Sequence, residues 1–258
     1  MILFLVTHFH DADRVAAFVE HVLSFGPGVC VAVADNSADS PFVRAVSDRV
    51  AVYGPPSNLG YLNGCAFALK AWLGDGRPEP EFVVVSNTDL SLDPGFARAM
   101  HDLDTAGVGV VAPDVRLPDG TPQNPFMAVR PSRARLEAYR FAFANGMLTR
   151  VLEQLERVKL ARRTAADVTA RDIYAAHGSV FVLTQEFFSS GGRVELDGFM
   201  FGEEIHIAEQ ARRHGLRTVL EPTLRATHEH RASTGRVART LRRSWARERL
   251  GVLLREYY

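Results

Sequence analysis

Two groups of carboxylates follow apolar runs in this 258-residue chain and could take part in chemistry. The first run, residues 82–85, reads Phe-Val-Val-Val and is followed by Asn87 and Asp89. Such a run predicts a strand buried on both faces in a parallel sheet. Ligands bind outside the carboxyl ends of these strands, so Asp89 could meet a small molecule or a metal ion. Taken alone, Asp89 could equally be a turn or helix-capping residue.

The second group is Glu203 and Glu204, which open a helical pattern that ends at Gly215. Adjacent helical residues point about 100° apart, so these two carboxylates cannot perform one role together. Either could simply be a negative charge that the positive end of the helix dipole favours. Because they follow the aromatic Phe199 and Phe201, a general base is the alternative interpretation.

Two further stretches hold weaker candidates. Asn58-Leu-Gly-Tyr-Leu-Asn-Gly64 is either a plain loop with a helix cap, or a place where backbone and asparagine side chains reach a phosphate or sugar. Thr227-His-Glu-His230 supplies two histidines. A lone histidine is more often structural than a metal ligand, so His228 counts only if the fold brings it to Asp89.

The segment Thr7-His-Phe-His-Asp-Ala-Asp13 is close to the His-x-His-x-Asp-His zinc signature of metallo-β-lactamase-type hydrolases. The spacing does not fit, because Ala12 and Asp13 occupy its last two positions. We therefore expect this loop to hold a nucleotide edge or to cap the next helix. No glycine lies between Thr7 and Phe25, which argues against the Gly-x-Gly-x-x-Gly loop of a dehydrogenase.

Composition excludes a disordered chain and a coiled coil as descriptions of the whole protein. With 47% hydrophobic and 23% charged residues, the chain is typical of one globular domain, and its zero net charge gives no argument for a nucleic acid partner. Cys30 and Cys65 form neither a disulfide framework nor a zinc spacing, which favours a reducing cytoplasm. The run 1–6 is too short for a secretory signal, and no stretch is long enough to span a membrane.

Apolar strands alternate with helical patterns and predict an α/β fold with a mainly parallel central sheet flanked by helices. Residues 131–170 are rich in Arg and Leu at helical spacing, and are either packing helices or a cover over the site. The strands are predicted at 2–6, 29–34, 50–53, 82–86, 108–112, 180–183 and 216–220, with helices at 15–25, between 37 and 50, at 64–73 and from 203.

The C-terminal residues 231–258 contain eight Arg and two Glu, a local charge of +6. An apolar stripe among these arginines allows two interpretations. The first is a packing helix with a solvated basic face, and the second is a peripheral contact with anionic membrane lipid. The stripe consists of Val237, Leu241, Trp245, Leu250, Leu253 and Leu254.

In this order, the segments resemble the inverting family 2 glycosyltransferases of the GT-A fold, over nearly the whole chain. The helix with Glu203 and Glu204, followed by His228, looks most like the bacterial polysaccharide and rhamnosyltransferase-like branch. The resemblance implies a GT-A domain at 1–230 with a helical insertion at about 131–172, then a basic amphipathic helical extension at 231–258. The motifs that carry it are Thr7, Asp35-Asn36-Ser37 with Asp39, Asn58-Leu59-Gly60, Asn87-Thr88-Asp89, Asp119-Gly120, Gly178, Phe201-Gly-Glu-Glu204, Thr227-His228-Glu229 and Ser233-Thr234.

The resemblance also implies roles for these residues. Asp35 matches the position that reads the nucleobase of a UDP- or dTDP-sugar donor. Asn87 and Asp89 fill the Asp-x-Asp site for Mg²⁺ or Mn²⁺, and His228 completes the metal shell. Glu204 matches the base that deprotonates the acceptor hydroxyl, with Glu203 in support. The other implied nucleotide-sugar contacts are Thr7, Asn36, Asn58 and Gly60.

The implied activity is transfer of a sugar to a hydroxyl of a glycan, glycolipid or small molecule in polysaccharide biosynthesis, at the inner face of the membrane if the acceptor is lipid-linked. Asn87 departs from the family pattern because it replaces an acid, Glu204 because Asp is commoner there, and His206 because it replaces a later acid. Asn87 and His206 motivate an alternative, a degenerate nucleotide-sugar-binding module. A sugar nucleotidyltransferase would need a basic glycine-rich loop, which residues 7–13 do not supply.

Overall fold

The computed structural model describes residues 1–43, 46–162, 169–229 and 238–258. Within these ranges the chain forms a nine-stranded sheet and eight helices. The strands are β1 (Ile2–His8), β2 (Val29–Asp35), β3 (Val50–Tyr53), β4 (Phe82–Ser86), β5 (Leu90–Leu92), β6 (Val108–Arg116), β7 (Arg171–Ile173), β8 (Val180–Thr184) and β9 (Arg217–His228). The helices are α1 (Ala12–Leu23), α2 (Tyr61–Gly74), α3 (Phe96–His101), α4 (Arg133–Ala144), α5 (Gly146–Ala161), α6 (Gln185–Ser189), α7 (Glu203–Arg213) and α8 (Arg239–Tyr257).

The sheet has the order β3-β2-β1-β4-β8-β6-β9-β5, and β7 pairs with the other end of β9. Strands β3, β2, β1 and β4 are parallel, as the alternation of strands and helices predicts. The sheet is mixed beyond β4, because β8 is antiparallel to both β4 and β6, and β5 and β7 are antiparallel to β9. Six of the nine strands run in one direction, so the predicted α/β architecture with a mainly parallel sheet is confirmed.

The sheet separates two apolar layers because its central strands are buried on both faces. Along β1, Leu3 and Leu5 face one layer and Phe4 faces the other, as the alternation of a strand requires. The layer with Leu3 and Leu5 also contains buried side chains of α2, α4, α7 and α8. The opposite layer is covered by α1 and α3. The candidate site residues 203–204 therefore begin a helix that packs on the core.

The segment between β2 and β3 was predicted to be a helix, and this prediction is wrong for its described residues, 36–43 and 46–49, which form turns and a single bridge. The physical reason lies in side chains that compete for backbone groups. Asp35 accepts hydrogen bonds from the backbone N–H of Ser37 at 3.0 Å and of Phe42 at 2.7 Å. Pro41 also lacks the N–H that a helix would use.

The described part of the 131–172 region contains the two helices α4 and α5, and α8 packs against α4 and α7. The apolar side chains of Leu250, Leu253 and Leu254 are buried in the core layer shared with β1. Trp245 packs against Phe199 in a tilted arrangement, with ring centroids 4.9 Å apart. The packing interpretation therefore fits Trp245, Leu250, Leu253 and Leu254, whereas Leu241 is 45% exposed and Val237 lies outside the described residues. No helix in the described ranges is long and apolar enough to cross a membrane.

A tight loop before α2 is held against the loop that leads into α7. Gly60 has φ +79° and ψ −168°, a conformation that is essentially restricted to glycine. A Cβ atom added there would lie 2.0 Å from the carbonyl oxygen of Phe199. The side chain of Asn63 in α2 also binds the loop before α7, because its amide donates to the carbonyls of Leu196 and Gly198 at 2.8 Å each. The two loops therefore have a fixed relative position.

We expect Gly60→Ala to destabilise the protein by more than Gly120→Ala, measured as the free energy of unfolding in urea. Gly120 also has a positive φ, +85°, but an added Cβ there meets no atom within 4 Å. The Gly120 variant should therefore show only the backbone cost, about 1 kcal/mol. The Gly60 variant should show that cost plus the contact with Phe199. Equal losses for the two variants would contradict the close contact between the loops.

Candidate active site

The pairing of β5 with β9 brings Asp89 and His228 together. Leu90 is opposite His228 across these antiparallel strands, and the N–H of Glu229 donates to the backbone carbonyl of Asp89 at 2.9 Å. His228 Nε2 lies 3.3 Å from Asp89 Oδ1, and the two side chains are only 8% and 11% exposed. The fold thus meets the condition set for His228 as a candidate ligand.

The hydrogen bonds of His228 determine what this pair could bind. Its Nδ1–H donates to Gln123 Oε1 at 2.8 Å, which directs Nε2 toward the Asp89 carboxylate. Burial by itself would raise the pKa of Asp89, but the hydrogen bond and charge of His228 outweigh burial, and the pKa lies below its usual value. A carboxylate oxygen and an imidazole nitrogen that face each other can share a proton or a metal ion, and Gln123 orients the ring for either.

Across the described ranges, no three His, Cys, Asp or Glu side chains are grouped so that they could hold a metal ion. Asp89 and His228 alone provide two ligands of suitable chemistry. Mg²⁺ is commonly bound by one or two carboxylates together with substrate phosphates. The donor set therefore fits an ion that shares its coordination with a diphosphate, and it does not form a complete metal centre.

Asn87 lies at the end of β4, where it meets the loop before β8. Its N–H donates to the carbonyl of Ser179 at 2.7 Å. In the same loop, His177 Nδ1 and the Ser179 hydroxyl are hydrogen-bonded at 2.8 Å, and the His177 ring lies 5.9 Å from that of His228. Sequence reasoning missed His177, although its position next to the predicted Gly178 was a signal.

Glu203 and Glu204 begin α7 after two residues in the left-handed region, Phe201 with φ +71° and Gly202 with φ +81°. That conformation is rare for a bulky residue and often marks a functional site. Gly178 contacts both carboxylates, since a Cβ added there would lie 2.9 Å from Glu204 Oε1 and 3.0 Å from Glu203 Oε1. The loop 177–179 therefore lies between the Asp89 pair and the two glutamates.

The two glutamates have raised pKa values. Burial raises the pKa of Glu203 and, more strongly, that of Glu204. The negative charge of Glu203 raises the pKa of Glu204 further, and a hydrogen bond from the Gly178 backbone opposes the shift only in part. A carboxylate with a raised pKa is a stronger base than an ordinary glutamate, which suits it to remove a proton from a hydroxyl.

Tyr61, the first residue of α2, was also missed, although it lies inside the predicted stretch 58–64. Its hydroxyl is buried and has no hydrogen-bond partner among the described residues. Burial, together with neighbouring acidic groups that include Asp89, Glu203 and Glu204, holds its pKa well above the usual value. Its hydroxyl is therefore within electrostatic range of all three carboxylates.

Asp35, predicted to read the nucleobase, is already engaged within the protein. Its Oδ1 accepts a hydrogen bond from His8 Nδ1 at 2.8 Å in addition to that from Ser37, and its Oδ2 accepts from Phe42. Burial opposes ionisation, but these bonds outweigh it and lower the pKa of Asp35. Two carboxylate oxygens have about four acceptor positions, so one position remains for a ligand. His8 had been considered only as part of a failed zinc signature.

The other predicted donor contacts organise the loop before α2. Asn36 donates from its amide to the carbonyl of Gly60 at 3.0 Å and accepts from the N–H of Leu59 at 3.2 Å. Asn58 Oδ1 accepts from the Gly60 N–H at 2.9 Å. The methyl group of Thr7 contacts α2 close to Gly64. Their roles toward a nucleotide sugar stay predictions, while their structural role is to position the loop that carries Tyr61.

His206, which replaces an acid of the family pattern, is buried and hydrogen-bonded to Tyr257.

A cavity of about 630 Å³ lies between Glu204 and the helices α4, α5 and α8. Its wall near the glutamates also includes Phe201 and Gly202. Glu204 lines this cavity and Asp89 does not, while the loop 177–179 contacts both Glu204 and the ring of His228. The arrangement offers a place for one substrate at Asp89 and another at the cavity.

Comparisons with known proteins were made for the whole chain, and no family model matches it. The sequence is 25% identical over 218 residues to N-acetylglucosaminyl-diphospho-decaprenol L-rhamnosyltransferase of Mycobacterium tuberculosis, which covers 81% of this chain and 69% of that protein.

Solved structures share the fold at low sequence identity. GalNAc-T7 with UDP, GalNAc and Mn²⁺ has a TM-score of 0.58 and 13% identity over 94% of this chain, although the match spans only 46% of that protein. TarS of S. aureus, residues 1–349, has a TM-score of 0.52 and 12% identity, over 89% of this chain and 60% of that one. The solved structures show that the chain has the GT-A fold, and together with the sequence match they support a glycosyltransferase.

Proposed function

We propose that the chain is an inverting glycosyltransferase of the family 2 type, which moves a sugar from a nucleoside diphosphate sugar to an acceptor hydroxyl. The observation that carries the proposal is that one loop contacts both candidate groups. Its Gly178 lies against Glu204, and the ring of its His177 packs against His228. This loop puts the candidate base and the candidate diphosphate site side by side. Inversion requires an acceptor and a leaving group on opposite sides of the sugar carbon.

In the proposed reaction, Glu204 accepts the proton of the acceptor hydroxyl while the acceptor oxygen attacks the anomeric carbon of the donor. The bond from that carbon to the diphosphate breaks, and the nucleoside diphosphate leaves with the electron pair. Glu203 supports the base, because its negative charge raises the pKa of Glu204. Tyr61, whose buried hydroxyl has no hydrogen-bond partner among the described residues, would donate a hydrogen bond to the substrate.

Asp89 and His228 would hold a divalent cation, Mg²⁺ or Mn²⁺, against the donor diphosphate. Such an ion offsets the negative charge that a departing nucleoside diphosphate carries. The neighbour GalNAc-T7 was crystallised with UDP and Mn²⁺, and TarS with UDP-GlcNAc, while the M. tuberculosis relative is named a rhamnosyltransferase. The names of the two structures support a UDP-sugar donor, while a dTDP-sugar donor and a role in polysaccharide biosynthesis follow from the resemblance to the rhamnosyltransferase-like branch.

A second candidate function is a nucleotide-sugar-binding module without catalysis. It is favoured by the neutral Asn87 and by a donor set of only two ligands among the described residues. The raised pKa of Glu204 and the cavity beside it favour the enzyme, because a binding module needs neither. We further propose a cytoplasmic location, with a glycan or lipid-linked acceptor, in line with the free, buried Cys30 and Cys65.

Glu204→Gln should lower transfer by about 100-fold to 10,000-fold, the usual contribution of a general base, and should leave donor binding intact. Glu153→Gln is a matched control, since Glu153 lines the same cavity without reaching Gly178. The measurements are steady-state turnover and calorimetry with the donor.

The raised pKa of Glu204 gives a second prediction. On acidification, activity should be lost at a pH above about 4.3, the ordinary glutamate value. Glu203→Gln should move that loss to lower pH. Retained turnover in the Glu204 variant would refute the base.

Mn²⁺ should bind the protein alone weakly and bind more tightly once a nucleoside diphosphate is present, because the protein supplies two ligands and the diphosphate supplies the rest. Calorimetry with and without UDP or dTDP measures this coupling. Asp89→Asn should remove it, whereas His101→Gln, a change at an exposed histidine on α3, should have no effect. Tight Mn²⁺ binding by the nucleotide-free protein would contradict the two-ligand site.

A further inference from the structure

The turn at 119–120 returns the chain along the central strand β6, at the edge of the sheet that carries the candidate site. After this turn, the N–H of Gln123 donates to the carbonyl of Val115 in β6 at 2.8 Å. The next residue, Asn124, donates from its amide to the carbonyl of Pro113 in the same strand at 2.7 Å. Gln123 is 4% exposed and Asn124 is fully buried. Both residues are therefore anchored to the sheet.

Gln123 contacts the half of the site that would hold the cation and the diphosphate. Its Oε1 accepts the Nδ1–H of His228 at 2.8 Å, so that Nε2 is the ring atom that faces Asp89. A partner on one ring nitrogen fixes both the tautomer of an imidazole and the direction in which its other nitrogen points. The side chain of Gln123 therefore sets the geometry of the Asp89 pair from behind, on the side away from the carboxylate.

Asn124 contacts the other half of the site, through the loop that adjoins the two glutamates. Its Oδ1 accepts the N–H of His177 at 2.8 Å and that of Phe126 at 3.2 Å. The rings of Phe126 and His177 also meet edge to face, with centroids 5.8 Å apart. The next residue in the loop is Gly178, whose backbone donates a hydrogen bond to Glu204. One buried amide oxygen thus determines where this loop lies relative to the candidate base.

We infer that Gln123 and Asn124 are positioning residues for the two halves of the reaction, Gln123 through His228 and Asn124 through the loop 177–179. The inference rests on the proposed function, since it assigns roles in that reaction. The two residues are adjacent in the chain, but their side chains hold different groups. Removing one should therefore change donor and metal binding, and removing the other should change turnover. A purely structural role for the pair would give no such separation.

Gln123→Met removes the acceptor of His228 and keeps a side chain of similar length. In calorimetry of the full chain, the tightening of Mn²⁺ binding by UDP or dTDP should fall by about 10-fold, the usual effect of removing a partner of a metal ligand. Turnover at saturating Mn²⁺ and donor should stay close to the wild-type value, because Glu204 keeps its position. Gln210→Met is the matched control and should change neither quantity. Gln210 is also a buried glutamine, and its Oε1 accepts the N–H of Arg193 outside the candidate site.

Asn124→Ala should give the opposite pattern. Turnover, measured as hydrolysis of a UDP-, GDP- or dTDP-sugar, should fall by about 10-fold to 100-fold, because a displacement of about 1 Å at the reacting groups can cost that much. The coupling between Mn²⁺ and nucleotide should stay close to the wild-type value, since Gln123 and the pairing of β5 with β9 still hold His228. Thr184→Val is the control for lost stability and should leave both quantities unchanged. It removes a buried hydroxyl that donates to the carbonyl of Val108 in the core.

Hydrogen exchange of the wild-type protein provides a second measurement in case Asn124→Ala does not fold. The N–H of His177 should exchange as slowly as the N–H groups paired within β6 and β8, because its acceptor is fully buried. Exchange of this N–H at the rate of an exposed loop would overturn the role of Asn124.

The two variants also separate the inference from the function on which it rests. If metal coupling and turnover fell in the same proportion in both variants, or fell in neither, the positioning roles would be overturned and the proposed function would stand. A wild-type protein that neither binds UDP or dTDP with Mn²⁺ nor hydrolyses any donor would instead overturn the proposed function.

Discussion

The close approach of the loop 177–179 to the start of α7 is the contact on which the candidate site depends. Gly178 has no side chain, and this allows its backbone to lie against Glu204 and to donate a hydrogen bond to it. On the other side of the same loop, the N–H of Asn87 donates to Ser179, and His177 packs on His228. A side chain at position 178 would press on the side chains of both Glu203 and Glu204. The site is thus assembled by three chain segments that meet at one glycine.

The electrostatics of the two halves differ in a way that suits two substrates. Asp89 is ionised because His228 compensates for its burial, so this half is prepared to hold a cation and, through it, a diphosphate. Glu204 lies next to Glu203 in a partly desolvated position, so its ionised form is destabilised and it is a better base. Helices α4, α5 and α8 shield this second half and bring several arginines to it. The buried Glu209, bonded to Arg130 at 2.6 Å and to Tyr174, ties α7 to the residues that hold the end of α8.

Much of the fold follows from local sequence pattern. Strands made of consecutive β-branched and aliphatic residues, such as 82–85, formed where predicted, because burial on both faces requires that composition. Asp89, His228 and the glutamates could be chosen only through the ordered resemblance to the family, because polar residues after a strand or at the start of a helix also serve as turn and capping residues. The helix expected after Asp35 does not form, because the Asp35 carboxylate binds the backbone N–H groups of Ser37 and Phe42 and because Pro41 has no N–H to donate. The antiparallel insertion of β8, and the site roles of Tyr61, His8 and His177, depend on long-range pairing that no local pattern encodes.

The central claim is that the acceptor displaces the nucleoside diphosphate from the sugar in a single step, with the acceptor activated by Glu204 on one side and the diphosphate held near Asp89 on the other. Proton NMR of the sugar released when UDP-, GDP- and dTDP-sugars are hydrolysed by the protein tests this directly, since water then takes the place of the acceptor. The account predicts that the first-formed sugar has the anomeric configuration opposite to that of the donor. Release of a sugar with the configuration of the donor would contradict it.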